Sequence, residues 1–173
     1  LLSLNSIVRA LENKRLGVED NDKFPEWQAE RAERVLVVGG GERVAEHIDA
    51  VRAMLEADPQ IVVVHASSRH AALFEGLANP QIFCLVGDEG HRMERVFDGL
   101  SDFAGRCILP PYPRKMGTDV PASVVDKTFE LHEVTFTDLF RDSCTAMALQ
   151  AAIEMQARSV MVVGYDGYTD MVL

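Results

Sequence analysis

The sequence predicts an α/β fold of three layers, in which helices cover both faces of a mainly parallel sheet of five or six strands. Short β-branched runs alternate with longer segments of helical periodicity, which is the pattern of strand–helix–strand units. The strand runs are apolar throughout, which is typical of strands covered on both faces. A glycine turn at residues 39–41 joins the first run directly to the first helix. With 173 residues, of which 47% are hydrophobic, the chain can bury a substantial core.

A helical lead-in is predicted before the sheet. Apolar residues at helical spacing predict a short amphipathic helix over 2–13. Pro25 suits the first position of a second helix, which we expect to run to about residue 33. We therefore divide the chain into a lead-in and linker at 1–33 and an α/β domain at 34–173.

The alternation along 34–173 gives a defined order of elements. Ser67 or Ser68 is expected to cap the second helix of the domain, and Asp142 or Ser143 the last one. The strands are predicted at 35–38, 61–64, 82–86, 106–109 and 159–163, with an edge strand or hairpin arm within 129–136. The helices are predicted at 42–57, 69–77, about 90–97 and 143–156. This order predicts a Rossmann-like architecture, whose ligands bind at the carboxyl ends of the strands.

Gly39, Gly40 and Gly41 form the first candidate site. Glycine permits close approach to the backbone, and a helix that starts there presents free N–H groups to an anion. The dinucleotide pattern G-x-G-x-x-G is matched only in part, because Val44 stands at the third glycine and His65 replaces the acidic residue expected after the second strand. The turn therefore predicts a phosphate or another anion, and the alternative is a tight turn that holds no ligand.

Polar residues at two later positions would complete such a site. Ser143 and Thr145 open a helix and could hold a second anionic group, or one of them could simply cap the helix. Asp166 follows the last strand between glycines. Its carboxylate could bind sugar hydroxyls or Mg²⁺, or could close an Asx turn. We expect the amides at 39–43 and the Asp166 carboxylate to converge on one crevice.

Other polar residues are predicted near the same strand ends. His65 is either an acid–base group or a hydrogen-bonded neighbour, while Ser67 and Arg69 follow it on the same side. Asp88 is a helix N-cap or a metal ligand. Arg114 could reach an anionic substrate from a loop, or could be solvated.

Composition limits the classes of partner. The formal net charge of −10 and pI of about 4.9 argue against nucleic acid and against anionic membrane surfaces. Cys84 and Cys107 lie in apolar runs and are expected to be small buried residues, whereas Cys144 has no histidine near in sequence to activate it. No secretory or membrane-spanning pattern is evident, which favours a cytoplasmic location with reduced thiols.

Five runs together resemble a known family. They are Leu-Asn-Ser at 4–6, Val-Leu-Val-Val-Gly-Gly-Gly at 35–41, Val-Val-Val-His-Ala at 62–66, Ala-Met-Ala-Leu-Gln at 146–150 and Val-Val-Gly-Tyr-Asp-Gly-Tyr at 162–168. They resemble the Rossmann-like C-terminal domain of HMG-CoA lyase-like aldolases of the 4-hydroxy-2-oxovalerate type. The last helix, strand and Gly-x-Asp are more remotely similar to the 6-hydroxymethylpterin pyrophosphokinase-like and bacterial sialyltransferase-like folds.

The resemblance implies a function class. It gives binding roles to Gly39, Gly41 and Asp166, with Ser143 a weaker match. It implies an aldolase barrel upstream in the same polypeptide, so that this chain is a piece of a longer protein without the lyase catalytic residues. The expected ligand is a nucleotide or nucleotide sugar, with Mg²⁺ as the accompanying ion, and the domain would act as a transferase on the aldolase product. The alternatives are a non-catalytic accessory or oligomerisation domain, with a homodimer as one arrangement, and a nicotinamide-dependent dehydrogenase domain.

Overall fold

Six parallel strands form one sheet with helices on both faces, which confirms the predicted three-layer Rossmann-like class. The computed structural model describes residues 23–97, 103–114 and 117–166. The predicted helix at 2–13 lies outside these residues. The strands are β1 (Arg34–Val38), β2 (Val62–His65), β3 (Gln81–Cys84), β4 (Arg106–Leu109), β5 (Thr128–Glu130) and β6 (Ser159–Val163).

The strand order β5-β4-β3-β2-β1-β6 places β1 at the point where the chain reverses its direction across the sheet. From β1 to β5 each strand is added on the same side, and β6 then returns to the free side of β1. In open parallel sheets, ligands bind outside the strand ends at such a reversal. The turns after β1 and after β6 therefore lie where the fold favours a site.

In the described ranges, four α-helices and two short 3-10 helices cover the sheet. The α-helices are α1 (Arg43–Glu46), α2 (Ile48–Ala57), α3 (Glu89–Val96) and α4 (Cys144–Glu154). On one face, Leu55 of α2 packs with Leu36 and Val38, while Met93 of α3 packs with other strand residues. On the opposite face, α4 packs with β1, β2 and β3. Burial of apolar side chains on both faces, at roughly 25 cal/mol per Å², holds the three layers together.

Two helix predictions require correction within 42–77. The predicted helix at 42–57 divides at His47, where φ is −113°, into α1 and α2. The helix predicted at 69–77 is wrong, because only a 3-10 helix forms at Ala71–Phe74. Neither predicted serine caps it. The Ser68 hydroxyl instead donates to Glu89 Oε2 at 2.9 Å, so its capping capacity is used in a tertiary contact.

The helix predicted at 25–33 is also wrong, because this segment forms no helix and is bridged to β5 at Glu26. The Trp27 N–H donates to the Glu130 carbonyl at 2.8 Å, and the Glu130 N–H donates to the Pro25 carbonyl at 2.9 Å. These main-chain groups therefore form hydrogen bonds with β5 instead of the hydrogen bonds that a helix would contain. Trp27 is only 4% exposed and packs in the core beside α4.

The region after β4 contributes the edge strand β5 and a buried ion pair. β5 confirms the edge-strand alternative for this region, although it is shorter than the predicted range. Arg114 neither extends into solvent nor reaches a site, because its side chain is 3% exposed and pairs with Glu130 at 2.8 Å. Among the helices in the described part of the chain, none has the length and apolar character needed to cross a bilayer.

Candidate ligand site at the carboxyl end of the sheet

The glycine turn after β1 is hydrogen-bonded to the end of β6. The Gly39 N–H donates to the Val163 carbonyl at 2.8 Å, and the Gly41 N–H donates to the Gly164 carbonyl at 2.9 Å. Gly164 itself has φ of +76°, a conformation that favours glycine, and this lets the chain bend back toward β1. Two of the turn amides are therefore already paired within the protein.

Close packing explains the need for two of the three glycines. A Cβ at Gly39 would overlap the Gly164 carbonyl oxygen and lie 3.0 Å from Tyr165 Cε2. A Cβ at Gly41 would overlap the Asp166 carboxylate, 2.6 Å from its Cγ. At Gly40 the nearest atom would be Ser67 Oγ at 3.2 Å, a side-chain atom that can move.

Asp166 lies against the start of α1. Its Oδ2 accepts a hydrogen bond from the Arg43 N–H at 2.9 Å. A negative charge is favoured at this position, because the first N–H groups of a helix lack intrahelical acceptors. The structure thus brings the glycine turn and Asp166 together, with the carboxylate itself in contact with one turn amide.

Ser67 and Arg69, which follow β2, form the other side of the turn. Arg69 donates through Nη1 to the Gly40 carbonyl at 3.1 Å and through Nη2 to the Glu42 carboxylate. Ser67 Oγ accepts from the Arg69 N–H at 3.3 Å, which leaves its hydroxyl hydrogen for another acceptor. Among the described residues, the N–H groups of Gly40 and Glu42 have no acceptor. Two amides, one hydroxyl and one guanidinium are therefore grouped here.

The start of α4 lies beside the β6 loop. Tyr165 Oη donates to Thr145 Oγ1 at 3.3 Å, which connects the α4 terminus to the loop that holds Asp166. Ser143 is the N-cap, and its Oγ accepts from the Ala146 N–H at 3.4 Å. The capping alternative thus accounts for Ser143, whereas Thr145 is paired with the β6 loop.

Cysteine and histidine chemistry is not favoured near this site. Cys144 donates through Sγ to the Cys84 carbonyl at 3.5 Å, and burial raises the pKa of its thiol to about 12, so thiolate is scarce at neutral pH. His65 is 1% exposed and stacks on Phe83 at 4.3 Å, with Nε2 2.9 Å from Gln81 Oε1. Burial lowers the pKa of His65 to about 4. Of the two alternatives for His65, the structure supports the hydrogen-bonded neighbour.

A protein-built metal site does not emerge from the described residues. They contain no group of three or more histidine, cysteine or acidic side chains placed to bind one ion. Asp88 occupies the N-cap position of α3, although its side chain makes no capping hydrogen bond. Mg²⁺ usually enters nucleotide sites through one or two carboxylates and the ligand phosphates. Asp166, which follows β6, could supply such a carboxylate.

A concavity lies at the amino ends of the strands, away from the glycine turn. It has a volume of about 740 Å³. Its charged walls are paired with one another, as Arg34 with Asp58 at 3.0 Å and Arg106 with Glu30 at 3.2 Å. The carboxyl end of the sheet differs from this concavity, because it presents two main-chain N–H groups, of Gly40 and Glu42, that have no acceptor among the described residues.

The sequence predicts that Arg69 lies near this site, but it does not indicate a role for this residue. Its contact with Gly40 spans 29 positions and depends on β1 and β2 being neighbours in register. The signal that could have found it was the presence of a serine and an arginine directly after the strand next to the glycine turn.

Comparisons with family models, with curated proteins and with solved structures give no match to this chain.

Proposed function

We propose that this domain binds a small phosphorylated ligand of the nucleotide or nucleotide-sugar class at the carboxyl end of the sheet. The observation that carries the proposal is the hydrogen bond of 2.9 Å from the Arg43 N–H to Asp166. It joins the anion-favouring turn after β1 to a carboxylate after β6, at the reversal point of the sheet. A ligand there would meet donors for phosphate and an acceptor for hydroxyl groups within one site.

The phosphate is assigned to the side of the turn that faces β2. Among the described residues the N–H groups of Gly40 and Glu42 have no acceptor, and Ser67 and Arg69, which follow β2, add a hydroxyl and a guanidinium. Successive backbone N–H groups and arginine are both suited to phosphate oxygens. The carboxylate of Glu42 would repel an anion, but its ion pair with Arg69 compensates that charge.

The hydroxyl-bearing part of the ligand is assigned to Asp166 and Thr145. A carboxylate has about four acceptor positions, and within the described part of the chain Asp166 accepts one hydrogen bond, from Arg43. Asp166 is exposed, so further acceptor positions can face a ligand. Thr145 lies next to the same loop through Tyr165.

We also propose that this domain is attached to an aldolase barrel. The resemblance to aldolase-associated domains supports placing this domain beside an HMG-CoA lyase-like barrel. In that setting, the ligand would belong to a step that follows aldol chemistry. The accessory-domain alternative differs in one measurable respect, because it requires no nucleotide affinity.

Calorimetric titration and thermal shift test the proposal. The ligands are CMP, CDP, ATP and NADH, each with and without Mg²⁺. Binding of CMP, CDP or ATP is expected to raise the melting temperature through mass action. Stabilisation by NADH alone would instead favour a dehydrogenase domain, and no response to any of them would refute the proposal.

Two variants and one matched control locate the site. Arg69→Ala should weaken nucleotide affinity about 10- to 100-fold, because a charge-assisted hydrogen bond contributes roughly 1.5–3 kcal/mol. Asp166→Asn should abolish any Mg²⁺-dependent part of the response and leave the fold intact. Arg31→Ala is the control, because Arg31 is exposed, pairs only with Glu33 among the described residues and lines the concavity at the amino ends. If Arg31→Ala weakens binding and Arg69→Ala does not, the ligand lies in that concavity.

A further inference from the structure

The two edges of the sheet differ in how they are protected. At one edge, β5 has only three residues, carries Glu130 and is bridged by the chain around Glu26. At the other edge, β6 has the sequence Ser-Val-Met-Val-Val, without charge or proline. Among the described residues, no strand pairs with its outer side. An apolar edge strand without protection is a template for pairing with another chain.

The main-chain groups of β6 alternate between β1 and the open side. The Ser159 N–H donates to the Glu33 carbonyl at 3.1 Å, and the Val163 carbonyl accepts from Gly39 at 2.8 Å. The main-chain N–H and C=O groups of the odd-numbered residues of β6 therefore point toward β1. Val160 and Val162, which lie between them, direct their N–H and C=O groups away from the sheet.

The same two valines also expose apolar side chains. Val160 is 42% exposed and Val162 is 60% exposed, although their partners in β1, Val35 and Val37, are completely buried. Ile153 of α4, the helix that leads into β6, is also exposed. The outer side of β6 therefore combines main-chain groups that have no partner among the described residues with exposed apolar side chains, which is uncommon on a free-standing parallel sheet.

We infer that β6 pairs with β6 of a second copy of this chain, antiparallel about a two-fold axis through Met161. This inference goes beyond ligand binding and does not depend on it. In this register Val160 of each copy lies opposite Val162 of the other, and each pair exchanges two N–H···O=C hydrogen bonds. The four valines then form one apolar row across the axis, with opposite side chains about 5 Å apart.

A second copy suits this edge because the strand is complementary to itself. Between residues 159 and 163 there is no charge to repel an identical strand. Val160 and Val162 each direct one N–H and one C=O outward, so the outer side of β6 offers an identical antiparallel strand as many donors as acceptors. A two-fold axis requires such self-complementarity from a single surface.

The test measures the mass of the full chain by light scattering and sedimentation from about 1 to 200 μM. Dimers are expected in this range. Val162→Lys should weaken the dimer at least tenfold, because it places two charges in the apolar row. Val125→Lys is the matched control, since Val125 is 47% exposed and lies in the 3-10 helix at Ala122–Lys127, next to the opposite edge of the sheet.

A cross-link tests the register independently of stability. In the proposed register the two Met161 residues form a non-hydrogen-bonded pair, whose Cα atoms lie about 4.5 Å apart. A disulfide spans such a distance. Met161→Cys should therefore form covalent dimers on mild oxidation, whereas Val125→Cys should not.

Three results would overturn the inference: a monomer throughout the concentration range, a dimer that Val162→Lys leaves unchanged, or cross-linking equal in the two cysteine variants. A monomer whose Val160 and Val162 amides resist hydrogen exchange would mean that another part of the same chain covers β6. None of these results affects the nucleotide titrations, so the two proposals fail separately.

Discussion

Gly39→Ala is the substitution for which the structure makes the sharpest stability prediction. Neither Gly39 nor Gly40 has a positive φ, so alanine can adopt the backbone conformation at both positions. The two differ in the space around them. At Gly39 the added Cβ meets the Gly164 carbonyl, which belongs to the backbone, whereas at Gly40 it meets the Ser67 side chain.

The magnitude follows from three contributions. Alanine restricts the unfolded chain and stabilises both variants by about 0.4–1 kcal/mol. At Gly39 this gain is opposed by overpacking, which costs about 1–3 kcal/mol. It is also opposed by the weakening of the hydrogen bonds from Gly39 to Val163 and from Gly41 to Gly164, at about 0.5–1.5 kcal/mol each. We expect Gly39→Ala to lower the free energy of unfolding by about 2–4 kcal/mol, and Gly40→Ala to change it by less than about 1 kcal/mol.

Urea unfolding followed by circular dichroism gives both values, and calorimetry gives the melting temperatures. For a chain of this size the loss at Gly39 corresponds to a decrease of about 5–15 °C. Equal stability of the two alanine variants would refute the reasoning, because it would mean that β6 does not approach the turn closely.

Three further predictions concern buried groups. Burial holds the pKa of His65 at about 4 in the folded protein and the unfolded chain has the ordinary value of 6.5, so stability should fall by about 3 kcal/mol as the pH decreases from 6.5 to 4. Urea unfolding of His65→Asn should lack this decrease, and an identical pH profile would contradict the assignment. Glu130→Ala should destabilise the fold by about 3–5 kcal/mol, because the buried Arg114 guanidinium loses its ion pair with this carboxylate, whereas Glu33→Ala, which removes exposed pairs with Arg31 and Arg158, should cost under about 1 kcal/mol. Cys84 and Cys107 are buried with raised pKa values, so their thiols should react with a disulfide reagent at pH 8 only after denaturation, and rapid reaction of the native protein would show that they are accessible.

The strands were more predictable from the sequence than the helices. β4 and β6 have the bounds that their apolar runs predict, because a β-branched run between turn residues has few other structures available. The segment from Pro25 to residue 33 was predicted as a helix because proline suits a first turn. Its actual structure depends on Glu130, which lies about 100 positions later in the chain and is not visible in a local pattern.

The candidate site was also predictable only in part, because some of its contacts depend on residues that are far apart in the sequence. Glycines after a strand and a carboxylate after another strand can be read locally, and the parallel sheet brings Gly39, Gly41 and Asp166 together. The pairing of Arg69 with Gly40 and Glu42 could not be predicted without the strand order. The burial of His65 depended on Phe74 and Phe83, whose packing against it is a tertiary property.

Amide chemical-shift mapping during titration with CMP or ATP tests the ligand site most directly. The account predicts that the largest changes occur at Gly40, Glu42 and Arg69, with further changes at Asp166. Changes confined to residues 30–34, at the amino ends of the strands, or the absence of any change at millimolar nucleotide, would contradict it.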